Sequence, residues 1–183
     1  MTKVLTLALA AGFATAAALL SPSAVADTAA PKDSNASPIY GVTIPEGYRD
    51  WKVISVAQLR GKANQLRVQL GNDIAIKAMR EGTRPFPDGA MIAAIHWTND
   101  ENVENDKVFE AVNFPFQSST AGKPVNVQFM VKDSKKYPDS AGWGFADFKD
   151  GKPQSEELHQ ACFSCHAPAA DKDFVFTDYA KNP

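Results

Sequence analysis

The chain has 183 residues, and its 19 Lys and Arg against 21 Asp and Glu give a formal net charge of −2. This length suits one domain that is large enough to bury its own core. Because no basic stripe and no charged tail stand out, the composition argues against nucleic-acid binding. Any docking of a protein partner must depend on local patches.

The first 26 residues are predicted to be a cleaved signal peptide. Lys3 gives a short positive region, residues 4–20 are apolar and uncharged, and an A-x-A cleavage pattern ends at Ala26. A membrane-spanning helix needs about 20 apolar residues, so a single-pass anchor is the alternative for this run. We expect a mature chain that starts after Ala26 and has no membrane anchor.

Residues 27–38 are rich in Ala, Ser, Pro and Asp and are predicted to be a disordered leader, followed by one folded domain over 39–183. Apolar alternation and strand-forming composition predict strands at 51–57, 65–70, 90–97, 107–116, 125–132 and 142–148. Helices are predicted from the N-cap Asn72 to Arg80 before Gly82, over 155–161, and as a final turn over 173–179.

The segment 125–132 alternates most clearly between apolar and polar positions. Its parity predicts that Phe129 and the valines in phase with it are buried, and that Met130 faces outward. Lys132 and Asp147 are expected to belong to a solvated charged face. His159 is expected to lie at the surface.

The most informative pattern is Cys162-Phe163-Ser164-Cys165-His166, a C-x-x-C-H motif. In this pattern two thiols add to the vinyl groups of a haem, and the adjacent imidazole is the proximal ligand of the iron. On a helix, Cys162 and His166 would share one face. The motif predicts one covalent haem c, which is attached outside the bacterial cytoplasm and therefore supports export to the oxidising periplasm.

Two cysteines at this spacing also occur in three other settings. A redox dithiol normally lies near the start of a strand–helix unit. A zinc site would need further ligands, and the chain has two Cys and three His in total. A plain disulfide between Cys162 and Cys165 stays open as an alternative, because no other cysteine competes for either thiol.

The fold class follows from the number of strand-like segments. Many small c-type cytochromes are all-helical, whereas period-2 segments dominate this chain. The prediction is an α+β fold, mainly an antiparallel β-sheet with a few helices and a C-terminal C-x-x-C-H haem-attachment segment.

Several stretches between Ile44 and Tyr179 share their order and spacing with one known family. They are residues 44–51 (IPEGYRDW), 86–89 (FPDG), 131–138 (VKDSKKYP), 142–145 (GWGF), 162–166 and 173–177 (DFVFT). Together they resemble the cytochrome P-460 family. The resemblance implies an antiparallel sheet with helices, usually a homodimer, and a five-coordinate haem with an open site opposite the histidine. Some members oxidise hydroxylamine, whereas the cytochrome c′-beta type binds nitric oxide and carbon monoxide without that turnover.

One position separates these two types. In the hydroxylamine-oxidising members, a lysine five residues past the glycine of the D-G turn is cross-linked to the haem. The same count from Gly89 gives Ala94, and no lysine occurs from Ala90 to Trp97. Because alanine cannot form this bond, the resemblance implies a c′-beta-like member without the cross-link.

Four further residues are candidates for the haem pocket. The resemblance places Phe129 at the distal capping position, where an apolar ring favours neutral diatomic ligands and offers no general base; an ordinary core phenylalanine is the alternative. It also places Arg67 in the distal pocket, as a hydrogen-bond donor to a ligand or a haem propionate; a solvated arginine is the alternative. His96 shares the strand parity of Ala94, and Phe145 is expected to line the pocket or the core.

Three functions are therefore compared. The first is a periplasmic five-coordinate haem protein that binds nitric oxide or similar small ligands and exchanges single electrons with a redox partner protein. The second is an enzyme that oxidises hydroxylamine or nitric oxide, for which the sequence offers neither the lysine nor a proton acceptor at the matching positions. The third is a six-coordinate electron carrier, in which His96 or a methionine such as Met91 or Met130 caps the iron.

Overall fold

The structure, a computed structural model, describes residues 33–180. The predicted signal peptide and residues 27–32 of the predicted leader lie outside the described residues. In the described range the strands are β1 (Lys52–Leu59), β2 (Gln65–Gly71), β3 (Met91–Glu101), β4 (Ser119–Lys132), β5 (Trp143–Lys149) and β6 (Lys152–Pro153). The helices are α1 (Asp73–Glu81), α2 (Val103–Ala111) and α3 (Glu156–His166), with short 3-10 turns at Tyr48–Asp50, Pro138–Ser140 and Ala167–Lys172.

The strands form one sheet in the order β1-β2-β3-β4-β5-β6, and every neighbouring pair is antiparallel. Each strand therefore pairs with the next one along the chain, which needs only short connections. The predicted α+β class is confirmed. Within residues 33–180, no helix has both the length and the hydropathy that crossing a membrane requires.

The first helix begins and ends where its sequence predicts. The Asn72 side chain accepts a hydrogen bond from the backbone N–H of Ala75 at 3.0 Å, which caps the helix start. Gly82 ends the helix in the left-handed region at φ 68°, where a residue without Cβ is not strained. The helix buries Ile76 and Met79 against the sheet.

Two predicted elements are wrong. Most of the predicted strand 107–116 lies in helix α2 and the turn after it; Asn102 caps α2, and the helix buries no residue. Its β-branched and aromatic residues favour a strand, but strand preference depends largely on side-chain packing. Because this element is exposed, packing does not stabilise a strand here. The predicted helical turn 173–179 is also absent, because Asp173 adopts left-handed backbone angles that end the preceding 3-10 turn.

Both faces of the sheet carry a buried cluster, which the parity of β4 alone did not predict. One cluster contains Leu70, Ala93, Phe129 and Phe148, and the other contains Ile92, Met130, Trp143 and Phe145. Because α3 and the C-terminal segment (residues 173–180) cover part of the second face, the outward position predicted for Met130 is wrong.

Three polar residues expected at the surface are also buried. Lys132 is 5% exposed, Asp147 is 2% exposed and His159 is fully buried. His159 lies on the side of α3 that faces the sheet, where its Nε2 accepts a hydrogen bond from the backbone N–H of Asp147 at 3.1 Å. Each of these groups has polar partners, as burial of a polar group requires.

Candidate functional site

One row of side chains across the sheet forms the base of a cavity. The strand register places Ala94 of β3 opposite Gln69 of β2 and Gln128 of β4, and Gln128 opposite Asp147 of β5. Directly paired residues in an antiparallel sheet project from the same face. We call this side of the sheet the cavity face.

Helix α3 brings the C-x-x-C-H motif against this face. The Ser155 side chain caps the helix start by accepting from the backbone N–H of Leu158. The motif forms the last turn of the helix, and the fully buried His159 anchors its first turn to β5. As a result, Cys162, Cys165 and His166 all border the cavity.

The cavity has a volume of about 370 Å³, which is within the usual range of about 300–1,000 Å³ for small-molecule and cofactor sites. Its sides are formed by the cavity face, by α3 and by the C-terminal segment. The residues that border it are Arg67, Gln69, Ile92, Ala94, Gln128, Phe129, Met130, Phe145, Ala146, Asp147, Leu158, Ala161, Cys162, Cys165, His166, Val175, Phe176 and Thr177.

His166 is held in one orientation by three neighbours. Its Nδ1 lies 2.7 Å from the carbonyl oxygen of Phe174, so Nδ1 carries the proton and donates. The imidazole lies between the rings of Phe145 and Phe176, with centroid distances of 5.1 and 5.0 Å. Burial lowers the pKa of His166, while the bond to Phe174 acts in the opposite direction. A neutral imidazole with a free Nε2 is the form that binds a metal.

The two thiols differ in exposure but border the same cavity. Cys162 is half-buried and Cys165 is exposed, and both are free thiols. Burial, reinforced by the nearby Asp147 and Cys165, raises the pKa of Cys162 to about 11, so this thiol is protonated at neutral pH. In the described part of the chain, no group of three or more His, Cys, Asp and Glu side chains has the arrangement of a metal site.

These residues fit a covalently attached haem. Cys162 and Cys165 would supply the two thioether links, and His166 would supply the axial nitrogen. Ile92, Met130, Phe145 and Val175 add an apolar lining of the kind that a macrocycle needs. The fit rests on the position of all three motif side chains at one cavity.

A polar network lies beside this apolar lining. Both carboxylate oxygens of Asp147 accept from the Asn126 amide, at 3.0 and 2.9 Å. Gln154 and Gln128 donate to the same carboxylate at 2.6 and 2.8 Å. Three side-chain amides thus compensate a carboxylate that is almost fully buried.

Arg67 belongs to a second part of the network. With the amide of Gln69 oriented to satisfy its neighbours, its oxygen accepts from Arg67 Nη2 at 2.8 Å and from Thr177 Oγ1 at 2.6 Å. Burial lowers the pKa of Arg67, which still remains a cation at neutral pH. The cavity therefore has a cationic hydrogen-bond donor on β2 and a carboxylate on β5.

The pocket residues predicted from the sequence fall into two groups. Arg67, Ala94 and Phe145 border the cavity together with the motif. His96 does not border it: its Nδ1 lies 3.0 Å from the Gln65 side-chain oxygen, and its buried Nε2 has no hydrogen-bond partner.

Phe129 touches the cavity, but its ring packs on the opposite face of the sheet. The ring lies 5.1 Å from that of Tyr48 and 6.0 Å from that of Phe148, between centroids. Its cross-strand partners Ala93 and Ala146 belong to the same apolar cluster. This position favours the core role of Phe129 over the distal cap. The neighbouring residues Ala94 of β3 and Gln128 of β4 face the cavity instead.

The fold and the site fit a β-rich, haem-binding cytochrome rather than one of the all-helical type. In agreement with this class, the family model for cytochrome P460 matches residues 45–177. The chain therefore belongs to the cytochrome P460 family, and haem is the cofactor of this family. No curated protein matches the chain at a significant level.

Several site residues were not found from the sequence. Asp147 and Gln128 look like ordinary surface residues until the register aligns them across β4 and β5. The carbonyl of Phe174 has no sequence signal as a partner of His166. The alternation of β5 could have identified Asp147, because it shares the parity of Phe145, which was expected to line the pocket or the core.

Proposed function

We propose that this protein is an exported, periplasmic haem c protein that binds nitric oxide or a similar small ligand opposite His166 and exchanges single electrons with a redox partner protein. The observation that carries this proposal is the meeting of Cys162, Cys165 and His166 with Ala94 at one cavity. Bound haem iron supplies both a ligand-binding position and a one-electron couple. A homodimer, as in the family, is part of the same proposal.

The protein's own residues favour binding over turnover. None of the described residues that border the cavity is a lysine, and Ala94 lies at the position counted for the cross-linking lysine. Arg67 is available to donate a hydrogen bond to a bound ligand or to a propionate. Phe145 and Phe176 flank the His166 ring and limit its rotation.

Met130 supports a second candidate function, a six-coordinate electron carrier. This residue is 8% exposed, borders the cavity and packs in the same cluster as Cys162. A methionine thioether is a common sixth ligand in cytochromes c, where it raises the reduction potential. Bound in this way, Met130 would occupy the position that a small ligand needs.

The Asp147 carboxylate supports oxidation of hydroxylamine or nitric oxide as a third candidate. It is a proton acceptor at the cavity, which the sequence did not identify. However, the absence of a bordering lysine in residues 33–180 removes the cross-link that the oxidising members use. We therefore place binding first.

The deciding experiment is absorption spectroscopy of the exported protein. A pyridine haemochrome assay tests covalent haem, and ferric and ferrous spectra with and without nitric oxide test the open position. We expect a high-spin ferrous spectrum that changes on addition of nitric oxide. Sharp low-spin bands that nitric oxide does not alter would overturn the binding function, and a strongly red-shifted ferrous Soret band would favour the oxidising enzyme.

The variant Met130→Leu separates the first two candidates. Leucine keeps the apolar volume but has no sulfur to ligate the iron. For an open site we expect the same high-spin spectrum as in the wild type. A change from low spin to high spin in Met130→Leu would show that the methionine is the sixth ligand. Met91→Leu is the matched control, because Met91 does not border the cavity.

A further inference from the structure

A buried ion pair lies close to the C-terminal segment that holds His166. Lys132 Nζ is 2.9 Å from each carboxylate oxygen of Asp173, and the two side chains are 5% and 8% exposed. The same Nζ donates to the carbonyl oxygen of Ala141 at 3.0 Å and lies 4.8 Å from the Trp143 ring centroid. Since burying two charges costs about as much as their attraction returns, stability alone does not account for this pair.

Asp173 begins a turn with an unusual backbone. Asp173 and Phe174 have φ values of 51° and 64°, in the left-handed region that residues with a Cβ rarely adopt. Such a conformation persists where its surroundings fix it. Two successive residues of this kind set the direction of the chain as it leaves the 3-10 turn.

Hydrogen bonds fix this turn on several sides. The Asp173 carboxylate accepts from the backbone N–H of Phe86 at 2.7 Å, in addition to Lys132. The Asp173 carbonyl accepts from the Trp143 indole at 2.9 Å, and the Phe174 N–H donates to the Ala169 carbonyl at 2.8 Å. Strands β4 and β5 and the loop before β3 therefore all take part in holding the turn.

The group that this turn presents is the carbonyl of Phe174, the acceptor for His166 Nδ1 at 2.7 Å. A return of Phe174 to an ordinary negative φ would rotate this carbonyl away from the imidazole. The hydrogen bond thus depends on a backbone conformation that Asp173 and its partners maintain.

We propose that Lys132 and Asp173 are positioning residues for the proximal imidazole: they act through the Phe174 carbonyl on His166 and lower the reduction potential of the iron. A hydrogen bond from Nδ1 to a carbonyl fixes the ring and makes the imidazole a stronger donor, which favours the ferric state. The inference rests on the proposed ligation of haem by His166.

The test uses the exported holo-protein with Asp173→Asn and Lys132→Met. Asparagine tolerates left-handed backbone angles and keeps an oxygen for the Phe86 N–H, so Asp173→Asn removes mainly the charge. Asp73→Asn is the matched control, because Asp73 pairs with Lys52 at 2.6 Å on the surface, with 86% and 59% exposure. The readouts are the midpoint potential and the iron–histidine stretching band of the ferrous protein.

We expect a higher midpoint potential and a lower iron–histidine frequency in both variants, and wild-type values in Asp73→Asn. Folded variants that keep both wild-type values would overturn the inference, since a merely structural pair would change only the unfolding midpoint. If one single variant does not fold, the double variant Lys132→Met with Asp173→Asn leaves no unpaired buried charge and decides the same question.

Two different outcomes would overturn the proposed haem ligation and the positioning role. A wild-type protein without covalent haem in the pyridine haemochrome assay would overturn both. Covalent haem in the wild type and in the variants, with an unchanged potential, would overturn the positioning role alone.

Discussion

Both faces of the sheet bury an apolar cluster, but they differ around Phe129 and Gln128 of β4. On one face, Leu70, Ala93 and Phe129 pack into an apolar cluster. Its side chains fill the space closely, and Phe129 is only 1% exposed. On the cavity face, Gln128 opposite Ala94 is exposed, and the space between the sheet and α3 is a cavity of about 370 Å³.

At this level the packed face contributes to stability, and the cavity face is the one that we propose holds the haem. A face packed by its own side chains gains free energy from burial without any added group. A face that keeps an alanine, two glutamines and a buried carboxylate gives up some of that gain and leaves room for a macrocycle. Substitutions that change one face at a time therefore test this division.

The largest expected effect is on the packed face. Phe129→Ala should lower the free energy of unfolding by about 3–5 kcal/mol, because it removes a buried ring and leaves a void. Urea unfolding of the holo-protein measures this loss. Val56→Ala is the control, since Val56 is 73% exposed and should change stability little. If the variant instead has nearly normal stability but altered nitric oxide affinity, this would indicate that Phe129 is the distal cap.

A smaller effect is expected on the cavity face. Asp147→Ala removes the common acceptor of the Asn126, Gln128 and Gln154 amides and should cost about 1–3 kcal/mol in unfolding free energy. Asp147→Asn keeps one acceptor oxygen and should cost less. Chemical denaturation of both variants provides the comparison. Equal stability of Asp147→Ala and the wild type would show that the amide network is not needed by the fold.

The smallest effect concerns pH. Burial, together with the nearby Arg67, lowers the pKa of His96 below its usual value of 6.5, while Asp147 opposes this shift. As the pH falls, the unfolded chain therefore binds this proton before the folded chain does. The contribution of His96 to the free energy of unfolding is fully present above pH 6.5 and declines below it. The slope contributed by one histidine is at most about 1.4 kcal/mol per pH unit.

His96→Gln isolates this contribution from that of other titrating groups. The variant should show a shallower loss of unfolding free energy between neutral and mildly acidic pH than the wild type. Parallel denaturation curves over that range give the difference in slope. Identical pH profiles would mean that His96 does not change its protonation preference on folding.

Local sequence patterns predicted much of the framework. The motif from Cys162 to His166 predicts covalent haem, because the spacing of two thiols and one imidazole is a local property. Alternation predicted most strands, and Asn72 with Gly82 predicted both ends of α1, since caps depend on neighbouring backbone groups. Local alternation also predicted correctly that Phe129 is buried.

Tertiary packing settles which residues face the cavity and what holds them. Period-2 alternation shows which side chains of a strand share a face, but not what covers each face. Met130 and Lys132 are therefore expected at the surface from alternation, whereas in the structure they are buried; His159, on α3, is buried because its side of the helix faces the sheet. Likewise, the contact of His166 with the Phe174 carbonyl depends on a left-handed turn that distant strands maintain, and no local pattern encodes it.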